Sequence, residues 1–242
     1  MLGCCFVMAL IRLQERFDKG VFLSRLNRFM VEMEVHGKTA LAHLPNSGRL
    51  LTVLVPNAEA YLVRRQRIGS KSSYDMFAVQ SSHVPIIVDT RFSSVATRTS
   101  VQKGLVKSLK GYRVVKENVE VNSSLLDLLL QRGRQKFFLE IKCVTHVVDK
   151  VALFPDAPTK RGRKHVNTLM RLVEQGYDAG ILFSVQRPDA EKIRPYREMD
   201  PLFEQLLRKT VEKGVKVFTE MLVFKPSGMV ELKTDFPPFS FT

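Results

Sequence analysis

The 242 residues contain no tryptophan, only three cysteines, and far fewer acids than bases. Each shortage excludes something. Cys4 and Cys5 are neighbours, Cys143 stands alone, and no Cys-x-x-Cys pair exists, so neither a disulfide framework nor a structural zinc site is expected. That usage fits a reducing compartment, and a cytoplasmic location is expected. The apolar start, residues 2–11, is too short to cross a bilayer and is followed by Arg12, Glu15 and Arg16. It also lacks the basic lead and small-residue cleavage site of a secretory signal, so it reads as a buried first strand, and no membrane partner is expected. Internal repeats and low-complexity runs are missing too, which excludes solenoids and disordered tails. With no tryptophan and five tyrosines, base stacking falls to Phe, Tyr and Arg, which argues against a dedicated single-strand binder.

What remains is a strongly basic chain. Lys and Arg number 38 against 24 Asp and Glu, a net charge of +14. Such an excess attracts polyanions, because each neutralised phosphate releases condensed counterions. The expected partner is DNA, as duplex and with little sequence specificity. The chemistry of the sequence says nothing about oligomeric state.

Two textures divide the chain. Up to residue 85, short strand-like runs (21–35, 38–43, 50–55, 60–65, 76–80 and 85–89) are punctuated by turn signals such as His36-Gly37, Pro45-Asn46-Ser47-Gly48 and Pro56-Asn57. That spacing predicts a small barrel of the oligonucleotide/oligosaccharide-binding (OB) kind. From 86 to 242 the order is helix (93–109), three strands (112–121, 125–130, 136–144), a looser stretch, helix (160–175), strand (179–186), helix (201–213) and strand (215–224), with a coil at Pro237-Pro238-Phe239. This is an α/β layer around one mixed sheet, and the whole is α+β.

One constellation carries chemistry. Asp127 interrupts the apolar run Leu125-Leu126-Asp127-Leu128-Leu129-Leu130, where a lone carboxylate is costly unless paired or bound to a metal. In the next strand, Glu140-Ile141-Lys142 puts the acid and the lysine on one face by alternation. If the hairpin closes through Gly133, Asp127 lies beside Glu140. Two carboxylates and a strand carbonyl then form a hard oxygen site suited to Mg²⁺ or Mn²⁺, with Lys142 placed to assist the attacking water or the transition state of phosphodiester hydrolysis. The bland counterpart is a solvated cross-strand charge pair; the apolar setting of Asp127 argues against it.

The segment resembles the PD-(D/E)XK nuclease pattern, and nearly the whole chain resembles the sugar fermentation stimulation (SfsA) family. The resemblance rests on segments in the family's order: Arg25-Leu26-Asn27-Arg28-Phe29, His43-Leu44-Pro45-Asn46-Ser47-Gly48-Arg49, Gly111-Tyr112, Asp127 with Glu140-Ile141-Lys142-Cys143-Val144-Thr145, the stretch from Phe154-Pro155-Asp156 to Lys164-His165, and Asp200-Pro201. It implies an N-terminal OB-like barrel, a C-terminal PD-(D/E)XK nuclease-like domain, DNA binding and a regulatory link to sugar utilisation. The chain departs from the pattern at Ser124-Leu125-Leu126-Asp127, where members carry an arginine after the serine. It departs again at Asn118, where an acid is usual, and at Arg91-Phe92-Ser93-Ser94, which replaces Pro-Asn.

Further DNA contacts are expected from Arg25, Asn27 and Arg28 on the barrel, from His43, Asn46 and Arg49 around the Pro-Asn-Ser-Gly turn, and from Lys160, Arg161, Arg163, Lys164 and His165 at a helix start. Positive side chains there oppose the helix dipole, a placement an anionic ligand would relieve. Asn46 and Gly48 are expected to take positive φ, and Asp156 and Thr159 to cap the helix. The leading expectation is a Mg²⁺- or Mn²⁺-dependent DNA phosphodiesterase. The rivals are a non-catalytic DNA-binding regulator that kept the fold and an RNA-associated protein using the same basic surface.

Overall fold

The computed structural model of the chain describes residues 8–14, 16–65, 69, 71–81 and 84–242. A short strand β1 (Met8–Arg12) precedes β2 (Phe17–Asn27), β3 (Met30–Val35), β4 (Lys38–His43), β5 (Glu59–Arg64) and β6 (Tyr74–Gln80). The last five run in the order β4-β3-β2-β5-β6, and β6 returns to pair in parallel with β4 at Ala42↔Tyr74 and His43↔Asp75. The result is a closed five-stranded barrel of the OB type. Val31, Met33, Ala42, Leu62 and Met76 are fully buried in its interior. Glycine suits position 20 of β2, since a Cβ there would lie 2.9 Å from Leu62 and 3.0 Å from a backbone oxygen of Glu34. A short β7 (Pro85–Ile87) extends the sheet from β6.

The rest of the chain is α1 (Thr90–Gln102), β8 (Arg113–Val121), β9 (Ser124–Arg132), β10 (Gln135–Val144), β11 (Val147–Val148), β12 (Val151–Phe154), α2 (Lys160–Glu174), β13 (Asp178–Val185), β14 (Lys192–Pro195), α3 (Pro201–Glu212), β15 (Lys216–Lys225) and β16 (Met229–Thr234). The main sheet is mixed, ordered β1-β16-β15-β13-β10-β9-β8, with β10, β13 and β15 parallel at its centre. A core that includes Val101 of α1 fills one face, and a core that includes Val166 and Leu169 of α2 and Phe203 and Leu207 of α3 fills the other. The helix starts are set by side chains: Asp89 accepts from the Arg91 amide, Thr159 from Gly162, and Asp200 from Phe203, ahead of Pro201.

Several local expectations change. The run 21–35 is two strands, turned at Arg28-Phe29 without glycine or proline because the Asn27 side chain accepts the Phe29 amide at 2.9 Å. Residues 50–55 are turn, not strand: Leu50 takes φ +56° and its carbonyl accepts the amides of Val53 and Leu54. The left-handed residues of this loop are Leu50 and Asn57, not Asn46 and Gly48. The helix of 93–109 begins at Thr90, stops at Gln102, and is followed by a left-handed Gly104 and one 3₁₀ turn. The looser stretch contains β11 and β12, which form a small sheet with β14. Of the expected first strand, residues 2–7 lie outside the described residues. The described part, β1, pairs antiparallel with β16, so it extends the main sheet and not the barrel within the 1–85 division. Among the described residues no helix is long and apolar enough to cross a membrane.

Candidate functional site

β9 and β10 form an antiparallel hairpin through the left-handed Gly133, and their ladder ends at Leu128↔Leu139. One step further, Asp127 comes level with Glu140. There its carboxylate takes over from the backbone: Oδ2 accepts the Ile141 amide at 2.6 Å. Strand alternation is broken at this point. Leu128 and Leu130 pack on the α1 side, whereas Leu126 joins the α2 side. The neighbouring strand breaks at the same level, where Asn118, between the pairs Val119↔Leu126 and Glu117↔Leu128, has φ +52°. Asparagine is among the few non-glycine residues that tolerate this conformation, so Asn118 has a backbone role here.

Glu140 is 2% exposed. Its Oε1 accepts Lys142 Nζ at 2.5 Å and meets His165 Nδ1, which α2 delivers from the sheet face. Its Oε2 is buried and has no hydrogen-bond partner. Arg161, one turn before His165, donates to His165 Nε2 at 3.4 Å. Burial pushes Asp127 up to about 7, the Glu140 charge pushes the same way, and the Ile141 amide, Lys142 and Arg161 oppose it. Burial also acts to raise Glu140, but Lys142 and His165 outweigh it and hold that carboxyl below its ordinary value. Two neighbouring carboxylates thus differ in protonation preference because only Glu140 has Lys142 and His165 in hydrogen-bond contact.

These groups open into a cleft of about 330 Å³ between the barrel and the mixed sheet. Its walls include Arg28 and Asn46–Gly48 of the barrel, Ser93 and Ser94 of α1, the 140–146 stretch, and Asp156, Thr159 and Arg161 at the start of α2. A hard divalent cation fits this donor set. It would find an unpartnered buried carboxylate oxygen on Glu140 and would offset the burial and the Glu140 charge that together raise Asp127. Among the described residues no group of three or more His, Cys, Asp or Glu forms a full cage. Mg²⁺ needs none, since it binds through one or two carboxylates and completes its shell with water and phosphate.

The other expected site residues separate into two groups. Arg28, Asn46 and Arg161 line the cleft, while Lys160 and Arg49 are exposed. His165 is buried beneath Glu140 and is not a surface contact. Others are committed within the protein. Arg25 donates to five backbone carbonyls, those of Asn27, Arg28, Asn46, Gly48 and Arg49. Asn46 bridges Gly48 N and Val88 O, and Asn27 closes its own turn. Arg163 holds both oxygens of Asp200, the cap of α3, at 2.7 and 2.6 Å. Lys164 donates to Ser123 O, and His43 lies 3.4 Å from Asp75, outside the cleft lining. Asp156 does not cap α2; it accepts the Arg49 amide at 3.1 Å and joins the barrel to the sheet. Residues the sequence left unassigned also line the cleft: His146, stacked on Tyr196 with centroids 5.5 Å apart, together with Ser93 and Ser94. An isolated histidine or serine carries no spacing signal that would have marked it.

Two family models match in tandem. The SfsA N-terminal OB domain covers residues 23–88 and the sugar fermentation stimulation protein RE domain covers 91–228. The chain belongs to the SfsA family. Among the family's curated members, the sugar fermentation stimulation protein homologue of Caldanaerobacter subterraneus is 38% identical over 200 residues, covering 83% of this chain and 87% of its own. The homologue of Methanothermobacter thermautotrophicus is 35% identical over 199 residues, covering 82% and 83%. The structure of Pyrococcus furiosus SfsA in complex with Ca²⁺ superposes with a TM-score of 0.89 at 27% identity, covering 96% of this chain and all of that one. The OB barrel followed by a mixed sheet is thus the family's fold.

Proposed function

We propose that this SfsA-family chain binds DNA and hydrolyses its phosphodiester bonds with Mg²⁺ or Mn²⁺ held by Asp127 and Glu140. The observation that carries the reading is the buried, unpartnered Oε2 of Glu140 level with Asp127 at the end of the β9–β10 ladder. The Ca²⁺ complex of the Pyrococcus furiosus protein supports a divalent-cation site in this fold, because Ca²⁺ is likewise a hard cation that takes oxygen ligands. When bound, the cation supplies Lewis acidity to the phosphoryl oxygen and acidifies water at neutral pH.

The protein's own groups do the rest. Lys142 brings an ammonium to the cleft, where negative charge develops on the phosphate, and its pairing with Glu140 fixes its direction. Arg28 from the barrel and Arg161 from α2 both line the cleft and position the polyanion. The α2 N-terminus, without an acid in its first turn, adds its dipole to the same side. The link to sugar utilisation would follow from regulation at the level of DNA.

A plasmid-nicking assay with Mg²⁺ or Mn²⁺ tests the reading: wild type should nick, while Glu140→Ala and Lys142→Ala should each lose about 100-fold or more. Equal, metal-independent activity in all three would remove the enzyme claim. A second reading, a DNA-binding regulator without catalysis, draws on Leu125, an exposed apolar residue two positions before Asp127 where a cation would serve catalysis. It expects salt-sensitive DNA binding, indifferent to EDTA, and no nicking with any metal.

A further inference from the structure

The tip of the β2–β3 hairpin is built against the usual rule for a solvated turn. Leu26 is 52% exposed and Phe29 45%, and in the neighbouring 46–51 loop Leu51 is 73% exposed. Phe29 is the one phenylalanine among the described residues that is exposed. The two segments are tied together, because the Arg25 guanidinium holds the carbonyls of Arg28 on one side and of Gly48 and Arg49 on the other. The apolar tip is therefore held in place. It is flanked by cations: Arg49 is exposed, and the Arg28 guanidinium sits over the Phe29 ring at 5.4 Å from its centroid. Arg28 also lines the cleft that holds Asp127, Glu140 and Lys142.

We infer that Phe29, supported by Leu26 and Leu51, is a stacking platform for an unpaired nucleobase, so that the preferred ligand is DNA with a gap or frayed end beside the cleft and not uninterrupted duplex. This rests on the DNA-binding reading above and deepens it. A fully paired helix offers an aromatic ring no base face, whereas an unstacked base offers one of either strand and any sequence. An arginine beside the ring brings a phosphate contact within a nucleotide of that base. The chain's net charge of +14 and the two arginines complement a polyanion and would repel a basic partner. A purely protein-binding tip has no need of a guanidinium laid over its aromatic ring.

The test measures binding to a fully paired duplex and to a gapped duplex carrying 2-aminopurine in the gap, in Ca²⁺ and in EDTA, across a salt series. Wild type should prefer the gapped DNA and quench 2-aminopurine. Phe29→Ala should weaken gapped-DNA binding about tenfold, abolish the quenching, and leave the slope of log K against log salt unchanged. Phe29→Tyr should restore both. Arg28→Ala should instead reduce the slope by about one, as loss of a phosphate contact does. The residue is exposed on a turn, and an unchanged melting curve would show that Phe29→Ala folds. If wild type binds neither DNA, the DNA-binding reading itself fails. If wild type binds and Phe29→Ala matches it in affinity and quenching, the platform is wrong. An Ala variant that loses self-association in sedimentation while keeping DNA affinity would make the tip a contact between copies, and would also overturn the proposal.

Discussion

At the scale of single residues, the site depends on which oxygen of Glu140 is occupied. His165 and Lys142 both engage Oε1 and so leave Oε2 for a ligand. Partners behind a metal-binding carboxylate are worth about 10- to 100-fold in metal affinity. His165→Asn is therefore expected to weaken Mn²⁺ binding by about tenfold or more in calorimetry, and an unchanged affinity would remove His165 from the site. A second prediction concerns Glu220, fully buried on β15 and donated to by Thr97 at 2.8 Å and Ser184 at 2.7 Å. Burial pushes its carboxyl from 4.5 up to about 7, and the two hydroxyls only partly oppose this. Below the unfolded value both states hold the proton. Between about 4.5 and 7 the unfolded chain releases it first, so stability falls as pH rises, by about 3 kcal/mol in total. Asp127 slopes the same way, so the comparison must be a difference. Glu220→Gln should gain on wild type in urea midpoint at pH 8 and lose that advantage at pH 5. That Asp127, Glu140 and Lys142 come together was legible in the sequence, because the acid among leucines and the acid-x-lysine strand are the two arms of one hairpin. His165 was expected at the surface with the other bases of the helix start; only the packing of α2 on the sheet buries it under Glu140.

At the scale of elements, the β2–β3 turn and the 46–50 loop are kept in register by one guanidinium. Arg25→Ala removes a charged donor from five carbonyls. It should cost about 2–3 kcal/mol in urea unfolding, and a loss under 0.5 kcal/mol would show that water replaces the arginine easily. The strands of the barrel were visible in the sequence where valine, methionine and alanine alternate. Two features were not. The turn at Arg28-Phe29 has neither glycine nor proline, and the 50–55 run looks like a strand but is folded on itself by a left-handed Leu50. At the turn the Asn27 side chain closes on the Phe29 amide, and in the loop Arg25 on the carbonyls and Asp156 on the Arg49 amide override the local pattern. The small β11-β12-β14 sheet was hidden because its strands are only two to four residues long.

At the scale of the whole molecule, the charge of +14 is the dominant feature. If about six phosphates are engaged, DNA affinity should fall on the order of a thousandfold between 50 and 200 mM salt. A fall under threefold would mean that the basic surface does not face DNA. The layout of barrel then mixed sheet could be read from texture, yet the link between them could not. Nothing local in residues 8–12 says that their partner is residues 229–233. Phe17, Tyr61 and Phe77 of the first half likewise pack edge-on against Phe224 of the second, a contact that exists only once both halves are folded. Because β1 is laid along β16, the barrel hangs like a bight of rope with both ends made fast to the same sheet. An outward swing of the barrel that widened the slot beside Glu140 would therefore have to peel β1 from β16.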